Sequence, residues 1–312
     1  MTQKEHLKHL SYMAALLVFL LIVPFQLSVY MQSFFMFTMM YIVLALSWNI
    51  ISGYTGYVSF GHVIFYGLGS YASAILVADH GWPWLLTLPV SVGVALVVAV
   101  VIGYPVLRLK GPYFAIAMLG AAEGTRVIVT VWDGLTHGGE GISLPNVETA
   151  DETYIAMMVL MAITVGASYW VGHSRYGVRL NAIREDEVAA EALGINTTLY
   201  KLSAFGLSAI FPAVAGAIQA NKTLYIDPET EFFILVTITM KLMAMLGGKG
   251  TVIGPIVGAI VLYAVQEIVW VQFPQAHLIA FGIFLVIVAR FMPRGIVGFW
   301  VDKGWARKGM VH

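Results

Sequence analysis

Few residues in this chain have the types and spacing to do chemistry. Glu123 and Arg126 stand three apart on one face of an apolar run. An unpaired charge at mid-bilayer costs at least ~2.5–3.5 kcal/mol. The two therefore pair with each other, face a watery path, or lock helices together. Glu187 and Glu191 are four apart in the polar stretch HSRYGVRLNAIREDEVAAEALGINT (173–197), so they share a face of any helix formed there. Like charges at that spacing repel slightly, which suits a stripe met by a basic surface on another molecule. Asp186 is placed to cap a helix over 187–193 by accepting an early backbone N–H, and Gly194 suits the left-handed position just past its end. Ala189, Ala190 and Leu193 give the other side a small apolar surface, and Arg179 and Arg184 precede it. A helix this short is marginal alone and needs a partner, either the lipid interface or another protein.

Asn49, Gly53, Tyr54, Gly56 and Ser59 offer a second constellation. Two readings stand. The glycines unwind a helix end so that freed backbone groups meet a substrate's carboxylate or ammonium, since irregular backbone at membrane depth must line a cavity or pack inside protein. Alternatively the segment is a Tyr-rich turn at the bilayer edge. The Gly-Lys of LGGKGT is not a phosphate loop, which needs G-x4-G-K-[ST]; here Gly250 follows Lys249. Gly250, Gly254 and Gly258 recur every four residues and put a flat face on one helix for close packing. His62, His80, His137, His173 and His277 form no H-x3-H pair, so a metal site has no support, and no Ser/His/Asp set shares one depth.

The elements that must position these residues are transmembrane helices. Of 312 residues, 59% are hydrophobic and 11% charged, against roughly 25% charged in an ordinary soluble protein. Mean hydropathy is +0.83. Net charge is zero, which argues against a nucleic-acid partner, and the lack of cysteine removes disulfides and thiolate sites. A spanning helix takes about 20 apolar residues. Ten segments qualify: about 11–29, 32–52, 61–78, 84–107, 113–132, 153–172, 198–219, 233–246, 252–272 and 276–291. The expected fold is an all-α polytopic membrane protein with about ten transmembrane helices (range eight to ten). It forms a single domain over 1–312, with the polar 173–197 segment between spans six and seven. Segment 233–246 is short and carries Lys241; it reads as a re-entrant or broken helix, or as a full crossing with the Lys241 amine snorkelling, and the parity of the other spans favours the crossing. Starting with the N-terminus inside, fourteen of the 17 Lys and Arg fall in inside segments and only Lys222 falls outside; Arg126 and Lys241 lie within spans. Basic residues are retained on the cytoplasmic side, which places both termini there. The outside loop DGLTHGGEGISLPNVETADE (133–152) reads as a solvated turn, or as a docking surface or lid.

Several stretches together resemble one family. The pattern RYGVRLNAIREDEVAAEALGINTTLYKLSAFGLSA (175–209) is similar to the cytoplasmic coupling region of permeases in branched-chain amino acid ATP-binding-cassette importers, of the LivM type. LSWNIISGYTGYVSFGH (46–62), RLKGPYFAIAMLGAAE (108–123) and LGGKGTVIGPIVGA (246–259) resemble three further signatures of that family, in the right order along the chain. The chain departs from the common Glu-Ala-Ala-x3-Gly coupling pattern: it has Val188-Ala189-Ala190 before Gly194, with the acids displaced to Glu187 and Glu191.

The resemblance implies the larger-type importer permease fold in a bacterial inner membrane. It implies a second permease of LivH type, two cytoplasmic ATPase subunits, and a periplasmic substrate-binding protein. It implies no cofactor in this chain, with ATP and magnesium held by the ATPase subunits. It assigns ATPase coupling to Arg179, Arg184, Glu187, Ala189, Ala190, Glu191 and Gly194, and Ala190→Arg is expected to release or uncouple the ATPases. Branched-chain amino acids are the implied substrates; related permeases carry urea, short amides or other small organic acids. A secondary transporter would need coupling charges at the midplane, where only Glu123, Arg126 and Lys241 are available. A membrane-embedded enzyme would need a polar catalytic cluster, and none has coherent spacing.

Overall fold

A computed structural model describes residues 28–145, 150–272, 282 and 295–302. Eight long helices match eight of the ten expected spans: α1 (Val29–Ser52), α2 (Val63–Ala78), α3 (Trp84–Val106), α4 (Pro112–Val131), α6 (Ala150–His173), α9 (Thr197–Thr223), α11 (Ile234–Gly247) and α12 (Ile253–Gln272). The expected spans at 11–29 and 276–291 lie almost wholly outside the described residues. Short helices fill the connections: α5 (Asp133–Thr136), α7 (Arg175–Glu185), α8 (Glu187–Ala192), α10 (Pro228–Glu231) and α13 (Gly295–Asp302). Among the described residues six helices are long and apolar enough to cross a bilayer, counting 228–247 as one, which makes this a multi-pass integral membrane protein.

Local signals set the helix ends. Ser28 accepts the Met31 N–H at the start of α1, Ser174 accepts the Gly177 N–H at the start of α7, and Asn196 accepts the Leu199 N–H at the start of α9. Pro112 occupies the first turn of α4, where its missing N–H costs nothing. Helix α1 is apolar all round and is the central element, packed by α6, α9, α11 and α12. Most of α1 and α9 is buried, whereas most of α3 and α4 faces outward. One apolar cluster joins α1, α6, α9, α11 and α12 through Trp48, Tyr154, Met157, Phe211, Met243 and Leu262.

Small residues let these helices approach at backbone distance. A Cβ at Gly69 of α2 would lie 2.0 Å from the Ala213 carbonyl oxygen of α9. A Cβ at Gly258 of α12 would lie 1.9 Å from the Met243 carbonyl oxygen of α11. Gly258 thus sits where helix packing requires glycine, whereas a Cβ at Gly254 would lie 2.2 Å from the Gly248 carbonyl oxygen in the turn before its own helix. Gly250 does not belong to that face. Helix α12 begins only at Ile253, because the Thr251 hydroxyl accepts the Gly254 N–H (3.0 Å) and closes the preceding turn. Gly258→Ala should lower stability at the upper end of the ~1–3 kcal/mol of overpacking. The check is the thermal unfolding midpoint in detergent; an unchanged midpoint would contradict the α11–α12 contact.

The two long loops at the end opposite α7 and α8 are ordered together. Strand β1 (Ile142–Ser143) pairs antiparallel with β2 (Tyr225–Ile226), with Ile142 opposite Ile226. The Tyr225 hydroxyl donates to the Glu140 carbonyl (3.0 Å), and His137 Nε2 meets Asp79 Oδ2 at 3.1 Å. The described part of 133–145 is therefore a docked cap and not a freely solvated turn.

Candidate functional site

The residues singled out above as three separate groups converge at the α7–α8 end of the bundle. The last turn of α1 supplies the first part. Asn49 is fully buried, and its side-chain amide clamps the loop before α12: Nδ2 donates to the Thr251 carbonyl (2.9 Å) and Oδ1 accepts the Gly250 N–H (2.8 Å). Gly250 needs its positive φ of 78°. The same last turn leaves the Gly53 carbonyl free to accept from Arg184 Nη1 of α7 (3.0 Å). Gly56, at φ 79°, passes so close to Arg184 that a Cβ would lie 2.9 Å from its Cγ. The other guanidinium nitrogens of Arg184 hold Glu185 Oε1 at 3.0 and 3.2 Å. Arg184 therefore ties α7 to the end of α1, while Asn49 ties that end to the loop between α11 and α12.

The second part is a buried charge network. Helix α8 starts as expected, with Asp186 Oδ1 accepting the Val188 and Ala189 N–H groups (2.9 and 3.0 Å) and Gly194 at φ 83°. Glu187 faces inward. Its Oε1 accepts from Lys201 Nζ of α9 (2.7 Å) and its Oε2 from the Tyr57 hydroxyl (2.6 Å). Lys201 is 4% exposed and donates also to the Tyr57 oxygen and to the Leu107 carbonyl at the end of α3, both at 3.0 Å. Burial alone raises the Glu187 carboxyl pKa, but the hydrogen bonds from Lys201 and Tyr57 outweigh it and hold the group below its ordinary value. Burial, then the Glu187 carboxylate, pushes the Tyr57 phenol well above its ordinary value.

Two expectations change here. Glu187 and Glu191 do not form an open acidic stripe: Glu187 is consumed by Lys201 and Tyr57, and Glu191 Oε1 accepts from Thr197 Oγ1 at 2.5 Å. Ala190 is 2% exposed and packs inward, because α8 must turn that side to the bundle for Glu187 to reach Lys201. The face left open carries Val188, Ala189 and Leu193, with Leu193 81% exposed. Arg179 lies further back, with its guanidinium on the Tyr200 hydroxyl and 5.4 Å from that ring's centre. Between α8, the 55–57 turn and Lys110–Gly111 lies a cleft of about 330 Å³.

The other candidates sit elsewhere. Ser59 belongs to a buried polar chain: its hydroxyl meets His62 Nδ1 at 3.0 Å, and His62 Nε2 meets the Ser208 hydroxyl at 3.1 Å. Trp48 Nε1 donates to the Ser59 carbonyl (2.8 Å), so this chain holds the turn onto α1 and α9. Tyr54 is buried in the apolar cluster with Ile51, Phe65 and Phe205. The Lys241 amine lies 4.3 Å from the Phe60 ring centre, within cation–π range. Glu123 and Arg126 pair with each other on the outer face of α4. Sequence reading passed over Lys201; the available signal was a lysine in the first turn of an otherwise apolar span.

Comparison with known proteins places this architecture. No solved structure matches the chain. LivM, a permease protein of the high-affinity branched-chain amino acid transport system of Salmonella typhimurium, is 27% identical over 93% of this chain and 75% of its own length. Its Escherichia coli counterpart is 28% identical over the same shares, and Escherichia coli LivH is 25% identical over 83% of this chain and 91% of its own. The chain is a LivM-type transport permease subunit and not an enzyme. The family model described as the permease component of branched-chain amino acid transport systems matches residues 30–289, so the chain belongs to that family.

Proposed function

We propose that this chain is one half of a permease pair in an ATP-driven importer of the bacterial inner membrane. Its partner is a homologous LivH-type permease. Two ATPase subunits, which hold ATP and magnesium, dock at α7–α8 on the cytoplasmic side, and a periplasmic binding protein docks at the opposite end. Both termini lie in the cytoplasm, with ten spans set in membrane lipid. Branched-chain amino acids pass between the two permeases.

The observation that carries this reading is the bracket around Glu187. A six-residue helix cannot hold itself together in water. Here it is fixed to α9 by Lys201, to the α1–α2 turn by Tyr57, and through Arg184 to the Gly53 carbonyl. A push on its open apolar tip is transmitted to α1 and α9, both largely buried, and through Asn49 to α12. That is the construction a force-receiving lever needs, and an ordinary solvated connector has no use for it.

The inward packing of Ala190 makes Ala190→Arg a test of folding more than of docking. Leu193→Glu is the cleaner variant, since that side chain is open to solvent. It should cut ATPase co-purification and ATP-driven uptake at least tenfold, with the unfolding midpoint unchanged. Wild-type uptake and ATPase association in this variant would refute the docking assignment. Purified chain alone in liposomes should show no gradient-driven uptake; finding it would favour a secondary carrier.

A further inference from the structure

Helix α4 turns Phe114, Met118, Ala122 and Val129 to the bundle and leaves its other face open. That face is apolar, with Ile116, Leu119, Val127 and Ile128 exposed, except for one ion pair. Arg126 Nε lies 3.1 Å from both Glu123 carboxylate oxygens, and Nη2 also reaches Oε1. Glu123 is 61% exposed and Arg126 29%. Full charges on an outward helix face at this depth require protein or water over them. Gly120 and Gly124 flank Glu123 on the same face, and a Cβ added at either would touch nothing in this chain. They differ from Gly69 and Gly258, whose small size the packing demands.

We propose that Glu123 and Arg126 form a site on the wall of the translocation path that reads a zwitterion, taking an α-amino acid's carboxylate on Arg126 and its ammonium on Glu123. This rests on the importer reading above and goes on to choose among its substrates. An α-amino acid exchanges the internal Glu–Arg pair for two new pairs and leaves no charge unmatched. A urea or amide offers no charges for that exchange. An organic acid supplies Arg126 but strands Glu123 against a like charge.

The chain has no cysteine, so Gly124→Cys gives a single reporter at a position with open space. In the assembled transporter, a membrane-impermeant thiol reagent should label Cys at 124 above the background of the wild-type complex. L-leucine should protect it, while isoamylamine and isocaproate, each lacking one charge, should not. No labelling, or equal protection by all three compounds, would overturn the proposal. A second arm uses ATP-driven L-leucine uptake. Glu123→Gln and Arg126→Gln should each lower it about 30-fold or more. The charge swap Glu123→Arg/Arg126→Glu keeps an ion pair and should stay inactive; recovery to the wild-type rate would assign the pair a structural role and refute the site. Failure of the wild-type complex to take up L-leucine with ATP would instead count against the importer reading, because the labelling arm needs no ATP.

Discussion

Lys201→Met is expected to loosen α8 from the bundle and to cost about 3–5 kcal/mol, the range for removing one partner of a buried ion pair. Methionine keeps the length and apolar stem of lysine, so packing is nearly unchanged. What is lost is the ammonium that serves Glu187, the Tyr57 oxygen and the Leu107 carbonyl at once. Glu187 then keeps only Tyr57 as a hydrogen-bond partner. Amide exchange read residue by residue should show protection falling over 187–192 while the centre of α1 stays protected. Lys201→Met combined with Glu187→Leu should recover part of the loss, since it is the stranded charge that costs most. The pH dependence has a defined sign. The Glu187 carboxyl is depressed in the folded chain, so its contribution is full above the ordinary carboxylate range and fades as pH falls through the lowered value. Without Lys201 that fading should begin at higher pH. Wild-type protection of 187–192 in the methionine variant would remove the bracket from the mechanism.

The helices were legible because each carries its own signal. Runs of apolar residues between Ser, Asn, Gly and Pro boundaries place eight long helices to within about three residues at most ends, and the Asp186 cap and Gly194 stop are local chemistry. The site was legible only in pieces. Arg184 and Gly53 are 131 residues apart, and Asn49 and Gly250 are 201 apart; spacing along a chain cannot report such contacts. Gly250 shows how a true periodicity overreaches: the four-residue repeat continues through it, but Thr251 ends the helix before reaching it. Glu187 shows the converse. Its spacing from Glu191 suggested an exposed stripe, yet a lysine fourteen positions later, at the start of an apolar span, needed a carboxylate more than any outside partner did. The outward face of α4 could not be assigned from one sequence, because an i, i+3 pair looks the same whether it faces the core or the exterior.

Asn49→Leu should uncouple the machine more than it unfolds it. The buried amide meets one N–H and one C=O of the 250–251 loop, and leucine meets neither. Each stranded backbone group costs about 1–3 kcal/mol, so the total loss for the two is roughly 2–6 kcal/mol, concentrated at the turn between α11 and α12. The Arg184 link to the Gly53 carbonyl survives, because it uses backbone and not the Asn49 side chain. Motion of α7–α8 therefore still reaches α1, but the tie from α1 to α12 is cut. In the assembled transporter, ATP hydrolysis stimulated by the loaded receptor should persist while uptake per ATP falls tenfold or more. Asn49→Asp separates the two halves of the clamp. It keeps an acceptor for the Gly250 N–H, loses the donor to Thr251, and sets a carboxylate against that carbonyl. It should therefore rank near Asn49→Leu if the Thr251 bond transmits the motion, and near wild type if the Gly250 bond does. Should both variants lose hydrolysis and uptake in equal proportion, Asn49 would be holding the docking surface itself in shape, and the α1–α12 tie would not be the link that carries force to the path.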